Sequence, residues 1–275
     1  MSFANRLGIA LAAMGLLAAW LAAASASAAA QTCFGHAATV VGTGGKDRIV
    51  GTTGRDVIVA RGGNDTVRSL DGKDLVCGGG GNDRLILGPG RDKGKGWRGD
   101  DLIKGLGGRD LILGGRGDDF EGGLYGGPNR DRLVGGRGDD YLEGGSGDDL
   151  STAGRGSDLM IDGSHAFDDA YSGGPGFDNL RWIGSSPVVV DLRVGQATGH
   201  GIDTFASIEH IDGGEGSDTM IGNGAPNVID GFGGNDDIEG RGGDDLLHGG
   251  RGTDSIDGGG GSDTCRGETV VNCES

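Results

Sequence analysis

From Gly42 onward an apolar residue returns at every ninth position. Ile49, Ile58, Val67, Val76 and Leu85 are each nine residues after the last, and the series resumes at Ile103 and Ile112, at Leu133 and Leu142, and at Ile229, Ile238, Leu247, Ile256 and Cys265. Between them lie glycine and polar residues. A unit of six loop residues followed by three extended ones puts its eighth residue inside and its seventh and ninth outside, because side chains alternate across a strand. Two such units back to back form one coil with a strand on each of two opposite faces. The two position-eight residues of a coil then meet as a thin apolar core, and coils stack at the strand spacing of roughly 4.8 Å. The pattern predicts an all-β chain with no helix in the repeats.

The register is best seen in Gly231 to Arg266, which reads GFGGNDDIE, GRGGDDLLH, GGRGTDSID, GGGGSDTCR. Each block has glycine at its first and fourth positions, aspartate at its sixth and an apolar residue at its eighth. Gly231, Gly240 and Gly249 open three of these blocks, and Gly114, Gly135 and Gly213 open others. Position six is filled by Asp47, Asp56, Asp65, Asp74, Asp83, Asp92, Asp101, Asp110 and Asp119 without a slip. Three extra residues then enter around Gly123-Leu124-Tyr125, and the series resumes at Asp131, Asp140, Asp149 and Asp158. A degenerate part holds Asp168 and Asp169. Asp178, Asp218, Asn227, Asp236, Asp245, Asp254 and Asp263 complete it, and only Gly94, Glu121 and Ser151 break the apolar rule at position eight.

Composition narrows the reading. Glycine makes up 65 of 275 residues and only 5% are aromatic, so a thick globular core is excluded. Five prolines and the absence of a three-residue period exclude a collagen-like helix. A disordered Gly/Asp polymer would share this composition. It would not place its few apolar residues at one position of a fixed period.

The net charge is −17, from 41 acidic and 24 basic residues. That balance argues against nucleic acid and anionic membrane as partners, since both are polyanionic. The basic residues fall mostly at loop positions three and five, among the aspartates, with no basic face visible along the sequence. Stacking the coils brings position-six carboxylates to one coil spacing. Two unit charges about 4.8 Å apart repel by roughly 3.5 kcal/mol at an effective dielectric near 20. A hard divalent cation between the loops reverses the sign of that term. Carboxylates and backbone carbonyls in a glycine-rich turn suit Ca²⁺ better than Mg²⁺, which demands a tighter octahedron.

These residues carry a resemblance. The unit G-G-x-G-x-D-x-U-x stands nearly intact at residues 78–86, 114–119, 135–143, 173–181, 213–221 and 249–257, and the chain resembles the hemolysin-type calcium-binding (RTX) repeat proteins. The resemblance implies a parallel β-roll that binds several Ca²⁺ ions, each between successive loops of one edge. The ligands it implies are the position-six side chains named above, Asn227 included, with glycine-loop carbonyls. Same-edge partners would be eighteen residues apart: Asp47 with Asp65, Asp101 with Asp119, Asp236 with Asp254, Asp245 with Asp263. Residues 182–212 resemble the interlude between two RTX blocks, with strand-like stretches at 188–192 and 208–211.

The remaining segments set the domain plan: a leader at 1–30, a first repeat block at 31–181, the interlude at 182–212, and a second block with a C-terminal cap at 213–275. The leader has Arg6, an uncharged apolar run from Leu7 to Ala24, and small residues at 26–30, the pattern of a cleaved secretory signal. A secreted, extracellular location follows as the expectation, with no membrane segment in the mature chain. Export fits Cys33, Cys77, Cys265 and Cys273, an even number. Three pairings are possible, and an elongated body favours Cys33 with Cys77 and Cys265 with Cys273. RTX proteins typically leave the cell by a signal at an unprocessed C-terminus, so the leader points instead to general export.

No G-x-S-x-G, H-E-x-x-H or G-x-x-x-x-G-K-[ST] motif is present, and no zinc-type Cys/His spacing. His200, Asp203 and His210 in the interlude are the only polar constellation outside the repeats. The reading is therefore a secreted, non-enzymatic protein whose folding is coupled to Ca²⁺. One alternative is a calcium-stabilised adhesin or surface-array protein that holds extracellular carbohydrate or a cell surface, using Trp97, Phe120, Tyr125, Tyr141 or Trp182. A third is an enzyme acting on extracellular polysaccharide.

Overall fold

The computed structural model describes residues 31–163 and 166–273, and the expected leader lies outside the described residues. Among the described residues, apart from a short antiparallel pair, Thr32–Cys33 with His36–Ala37, every strand belongs to one of two sheets, of 12 and 15 strands. Consecutive repeat strands alternate between the two sheets. Pairing is parallel, with partners eighteen residues apart in regular coils, as in Ile49↔Val67 and Ile238↔Ile256. The chain is a parallel β-roll.

Position eight is the core. In the 12-stranded sheet one column runs through Ile49, Val67, Leu85, Ile103, Leu124, Leu142, Met160, Leu180, Ile211, Ile229, Leu247 and Cys265. The facing column includes Ile58, Val76, Ile112, Leu133, Met220, Ile238 and Ile256, and both columns join a single buried cluster. Each fully buried aliphatic side chain contributes about 1.5–3 kcal/mol. Gly94 and Ser151 occupy the same column and are equally buried.

The three extra residues are Phe120–Gly122, inserted between Asp119 and the strand Gly123–Pro128, rather than 123–125. Leu124 pairs with Ile103 and is fully buried, so it takes the core position and Glu121 lies outside the register. An apolar residue displaces a carboxylate from a position that has no room for charge.

The outer face departs from simple alternation at the N-terminal end. There Val57, Leu75 and Cys77, at positions seven and nine, are buried with Cys33 and flanked by Phe34 and Val59. The N-terminal hairpin lies over them, tied by the Cys33–Cys77 disulfide. The second disulfide joins Cys265 to Cys273, beside the last strands.

The interlude does not split the stack. In the 12-stranded sheet Asn179–Trp182 pairs directly with His210–Asp212. In the other sheet, Ile202–Ala206 pairs in parallel with Ala170–Ser172. It then turns through two antiparallel pairings, with Gln196–Thr198 and Val189–Asp191, before Thr219–Ile221 restores the repeat. Trp182 and Phe205, 6.3 Å apart between ring centres, join the core at this seam.

Candidate metal centre

The position-six aspartates form two ladders, one on each edge of the roll. Along the regular coils Oδ1 accepts the backbone amide of the position-six residue one coil earlier, at 2.7 Å for Asp47 to Asp65, 2.6 Å for Asp101 to Asp119 and 3.0 Å for Asp236 to Asp254, whereas Asp218 Oδ1 accepts the Val188 amide at 2.9 Å. All four eighteen-residue pairs expected from the sequence are joined in this way, Asp245 to Asp263 included. Each aspartate therefore fixes the loop beside it through one oxygen.

The second oxygen is what points to a ligand. Oδ2 of Asp65, Asp74, Asp83, Asp92, Asp101, Asp110, Asp119 and Asp131 is buried and has no hydrogen-bond partner. The same holds for Asp140, Asp149, Asp158, Asp178, Asp218, Asp236, Asp245 and Asp254. An unpartnered buried carboxylate oxygen is costly. Most of these oxygens face a glycine that opens their own block, while Ala60, Ser69, Leu87 and Ala153 open the blocks of Asp65, Asp74, Asp92 and Asp158. A Cβ on Gly78 would stand 2.2 Å from Asp83 Oδ2, on Gly114 2.0 Å from Asp119 Oδ2, and on Gly231 2.2 Å from Asp236 Oδ2. The Gly114 and Gly231 positions also lie 2.8 and 2.4 Å from the carbonyl oxygens of Gly135 and Gly249, one coil on. Gly135, Gly240 and Gly213 show the same approach to Asp140, Asp245 and Asp218. In these glycine-opened loops a carboxylate oxygen and a carbonyl oxygen thus converge on the space a Cβ would take, a donor set suited to a hard cation.

Three position-six residues differ. The amides of Thr43 and Thr52 donate to Oδ2 of Asp47 and Asp56, both at 2.6 Å, with their hydroxyls also in reach, and the Asn223 amide donates to Asn227 Oδ1 at 2.9 Å. In the open loops the position-two residue has a positive φ, even where it is Arg61, Leu70, Trp97, Leu106, Phe232 or Arg241. Its amide is thereby turned away from the aspartate. In Gly88 and Gly154 it reaches the carbonyl of Gly105 and Gly173 in the next coil. The sequence grouped Asp47, Asp56 and Asn227 with the rest, and the backbone separates them.

Electrostatics follows burial. Removal from water pushes Asp131 and Asp140 up to about 8, and Asp101, Asp119 and Asp149 to about 7, against amide hydrogen bonds that lower them and neighbouring carboxylates that raise them further. Without a counter-ion these side chains hold protons near neutrality.

An RTX calcium-binding nonapeptide repeat model matches residues 41–76, 70–94, 88–121, 125–160, 212–247 and 239–269, more than half of the chain. The chain belongs to this family. RTX nonapeptide repeats bind Ca²⁺, and the buried aspartate ladders of this RTX protein fit that ion. No curated protein matches the chain.

Where the RTX pattern fails, other acids continue the ladders. Glu209 Oε2 accepts the Asp178 amide at 3.1 Å and Glu268 Oε2 accepts that of Asp254 at 2.9 Å. Asp203 Oδ1 accepts the Asp169 amide at 2.9 Å. Each of these three acids stands two residues before an apolar or aromatic residue in the core register, the buried Ile211 and Phe205 and the exposed Val270 of the last strand, and that spacing marks them in the sequence. His200 and Asp203 are both buried beside Asp162 and Asp169, whereas His210 pairs with Asp212 at 2.9 Å, so the interlude constellation does not assemble as one site.

The edges are not alike in charge. Position five reads Arg55, Lys73, Arg91, Arg109 and Arg130 along one edge and Asn64, Asn82, Asp100, Asp118 and Asp139 along the other. The five basic side chains are exposed and, with His36, Lys93 and Arg132, line one groove. A basic face therefore exists. It is hidden in the linear sequence because only every second block shares an edge.

Proposed function

We propose that this RTX protein is a secreted, non-enzymatic calcium-binding protein whose roll forms when Ca²⁺ enters the open loops. The observation that carries the reading is the buried, unpartnered Oδ2 of the open-loop aspartates from Asp65 to Asp254, most of them beside the glycine that opens their block. Without a cation, folding buries acids that water solvates better. With Ca²⁺ bound, the same acids become ligands and binding free energy becomes folding free energy. Low Ca²⁺ then keeps the chain unfolded, and the extracellular concentration folds it, with an affinity of about 10⁻⁴–10⁻³ M, as in other extracellular modules. The paired cysteines and the leader support export.

Equilibrium dialysis of the chain with Asp236, Asp245, Asp254 and Asp263 changed to Ala tests the ligand assignment. A reduced number of bound Ca²⁺ ions is expected, and an unchanged number would remove these residues from the site.

One observation favours a calcium-stabilised adhesin as a second reading. Tyr141 stands 5.6 Å from Tyr125 and 6.4 Å from Phe120 between ring centres, and Phe120 is exposed. Aromatic surfaces of this kind stack on sugar rings. Trp182 is not part of it, being buried in the core, and Trp97 lies apart under Lys95. Loss of polysaccharide retention in Tyr141→Ala at saturating Ca²⁺ would support this reading, and retention equally weak in the parent chain would end it.

A further inference from the structure

The coil that enters the interlude breaks the repeat in a way that builds a different site. Its first position is Asp162, where most regular blocks carry glycine, and its position-six residue Asp169 is reached two residues late, its Oδ1 accepting the amide of Asp149 twenty positions earlier. In regular loops position one lies against the position-six carboxylate, as at Gly78, and where it is not glycine it is Ala60, Ser69, Leu87 or Ala153, never an acid. Here it carries a carboxylate. Asp162, Asp169 and, from the interlude strand Ile202–Ala206, Asp203 each present an oxygen, and these oxygens all lie within 4.8 Å of one another.

The three residues are 1%, 7% and 1% exposed. Oδ2 of Asp162 and Oδ2 of Asp203 are buried without a hydrogen-bond partner, and Asp169 Oδ2 has only the Tyr171 hydroxyl at 3.3 Å. Among the described residues no Lys or Arg forms an ion pair with the cluster. His200 stands at its edge, Nδ1 3.8 Å from Asp162 Oδ1 and 3.1 Å from the Gly163 carbonyl, with Nε2 buried and unpartnered. Three carboxylates in so dry a space are neutralised either by protons or by a bound cation.

We propose that Asp162, Asp169 and Asp203 form a separate divalent-cation site, of higher affinity than the repeat loops, that clamps the antiparallel insert to the stack. The repeat loops offer one buried carboxylate oxygen beside backbone carbonyls, whereas this site gathers three carboxylates. Ligand charge is one of the variables that set the affinity of oxygen sites for hard cations. Its ligands come from both sides of the seam, from the coil that ends at Ser172 and from the strand that replaces the next coil. The cation therefore binds first and fixes the seam on which the second block stacks. The assignment does not depend on the repeat loops holding Ca²⁺.

Trp182 supplies a local reporter, since it is buried and pairs in register with Asp162. The chain has three tryptophans, so Trp20→Phe with Trp97→Phe leaves Trp182 alone. Titrated with Tb³⁺ as the probe, this chain is expected to show Trp-sensitised emission that saturates before the circular dichroism changes and is displaced by Ca²⁺. Asp162→Gly restores the repeat residue at position one and is expected to raise the Tb³⁺ midpoint at least tenfold. Asp203→Asn, which keeps the acceptor for the Asp169 amide, is expected to do the same. Both should retain the β signal in excess Ca²⁺. Absence of sensitised emission in the parent, or an unchanged midpoint in both variants, would overturn the proposal. The result is independent of the four-aspartate dialysis experiment, which reads loops at the far end of the chain.

Discussion

The amide of Thr52 donates to Oδ2 of Asp56 across 2.6 Å, where the open loops leave that oxygen without a partner. One backbone dihedral decides the difference. A positive φ at position two turns the amide away from the carboxylate, and a threonine outside that region turns it inward. Threonine resists positive φ because its branched Cβ crowds the backbone. Changing Thr52 to Gly is expected to release Asp56 Oδ2 and to increase the number of Ca²⁺ ions held at saturation, read by equilibrium dialysis. An unchanged number would show that the amide does not compete with the ion.

Acid should stabilise the metal-free roll. Burial holds Asp131 and Asp140 at about 8 and Asp101 and Asp119 at about 7, above the unfolded carboxylate value of about 3.9. The folded chain then binds more protons than the unfolded chain between these values. Its metal-free stability is greatest below about pH 4 and falls as pH rises through 7 and 8. Ca²⁺ affinity moves the other way, because the ion displaces those protons. In chelator the β signal should be larger at pH 5 than at pH 8, and added Ca²⁺ should raise it more at pH 8. A metal-free β signal that increases with pH would contradict the assignment.

The core is one residue deep on each face, so truncation has no second layer to absorb it. Leu142 is fully buried between Leu124 and Met160. Leu142→Ala is expected to cost about 2–5 kcal/mol in saturating Ca²⁺, measured by urea unfolding. A loss below about 0.5 kcal/mol, the size of a surface change, would mean that the two columns are not packed as described.

Ser151 stands in the same column with a buried hydroxyl that has no partner. Ser151→Ala removes an unsatisfied group at little cost in volume. A stabilisation of about 1 kcal/mol is expected, and a destabilised variant would show that the hydroxyl has a partner in solution.

Much of this was legible because a solenoid repeats its physics. The nine-residue period gave the inward Ile49 to Cys265 series, the family resemblance implied the eighteen-residue aspartate pairs, and an elongated body favoured the disulfide pairing that is found. Three features escaped. The insertion is Phe120–Gly122 because Leu124 outcompetes Glu121 for a dry position, which an apolar count at position eight detects only when the register may shift. The split between open and closed loops lies in the φ of Thr43, Thr52 and Asn223, which glycine spacing does not encode. Asp162 and Asp203 meet across a stretch where the period fails, and no local motif joins residues that far apart. The proposed location outside the cell is argued from the sequence of residues 1–30 and the cysteines.

The central claim is that Ca²⁺ turns the buried aspartate ladders from a cost of folding into its cause. Far-ultraviolet circular dichroism of the chain at pH 7.5, titrated from chelator with Ca²⁺ and separately with Mg²⁺, tests it most directly. The account predicts little β signal in chelator, a cooperative rise with Ca²⁺, and a much weaker response to Mg²⁺. A full β signal in chelator, or an equal response to Mg²⁺, would contradict it.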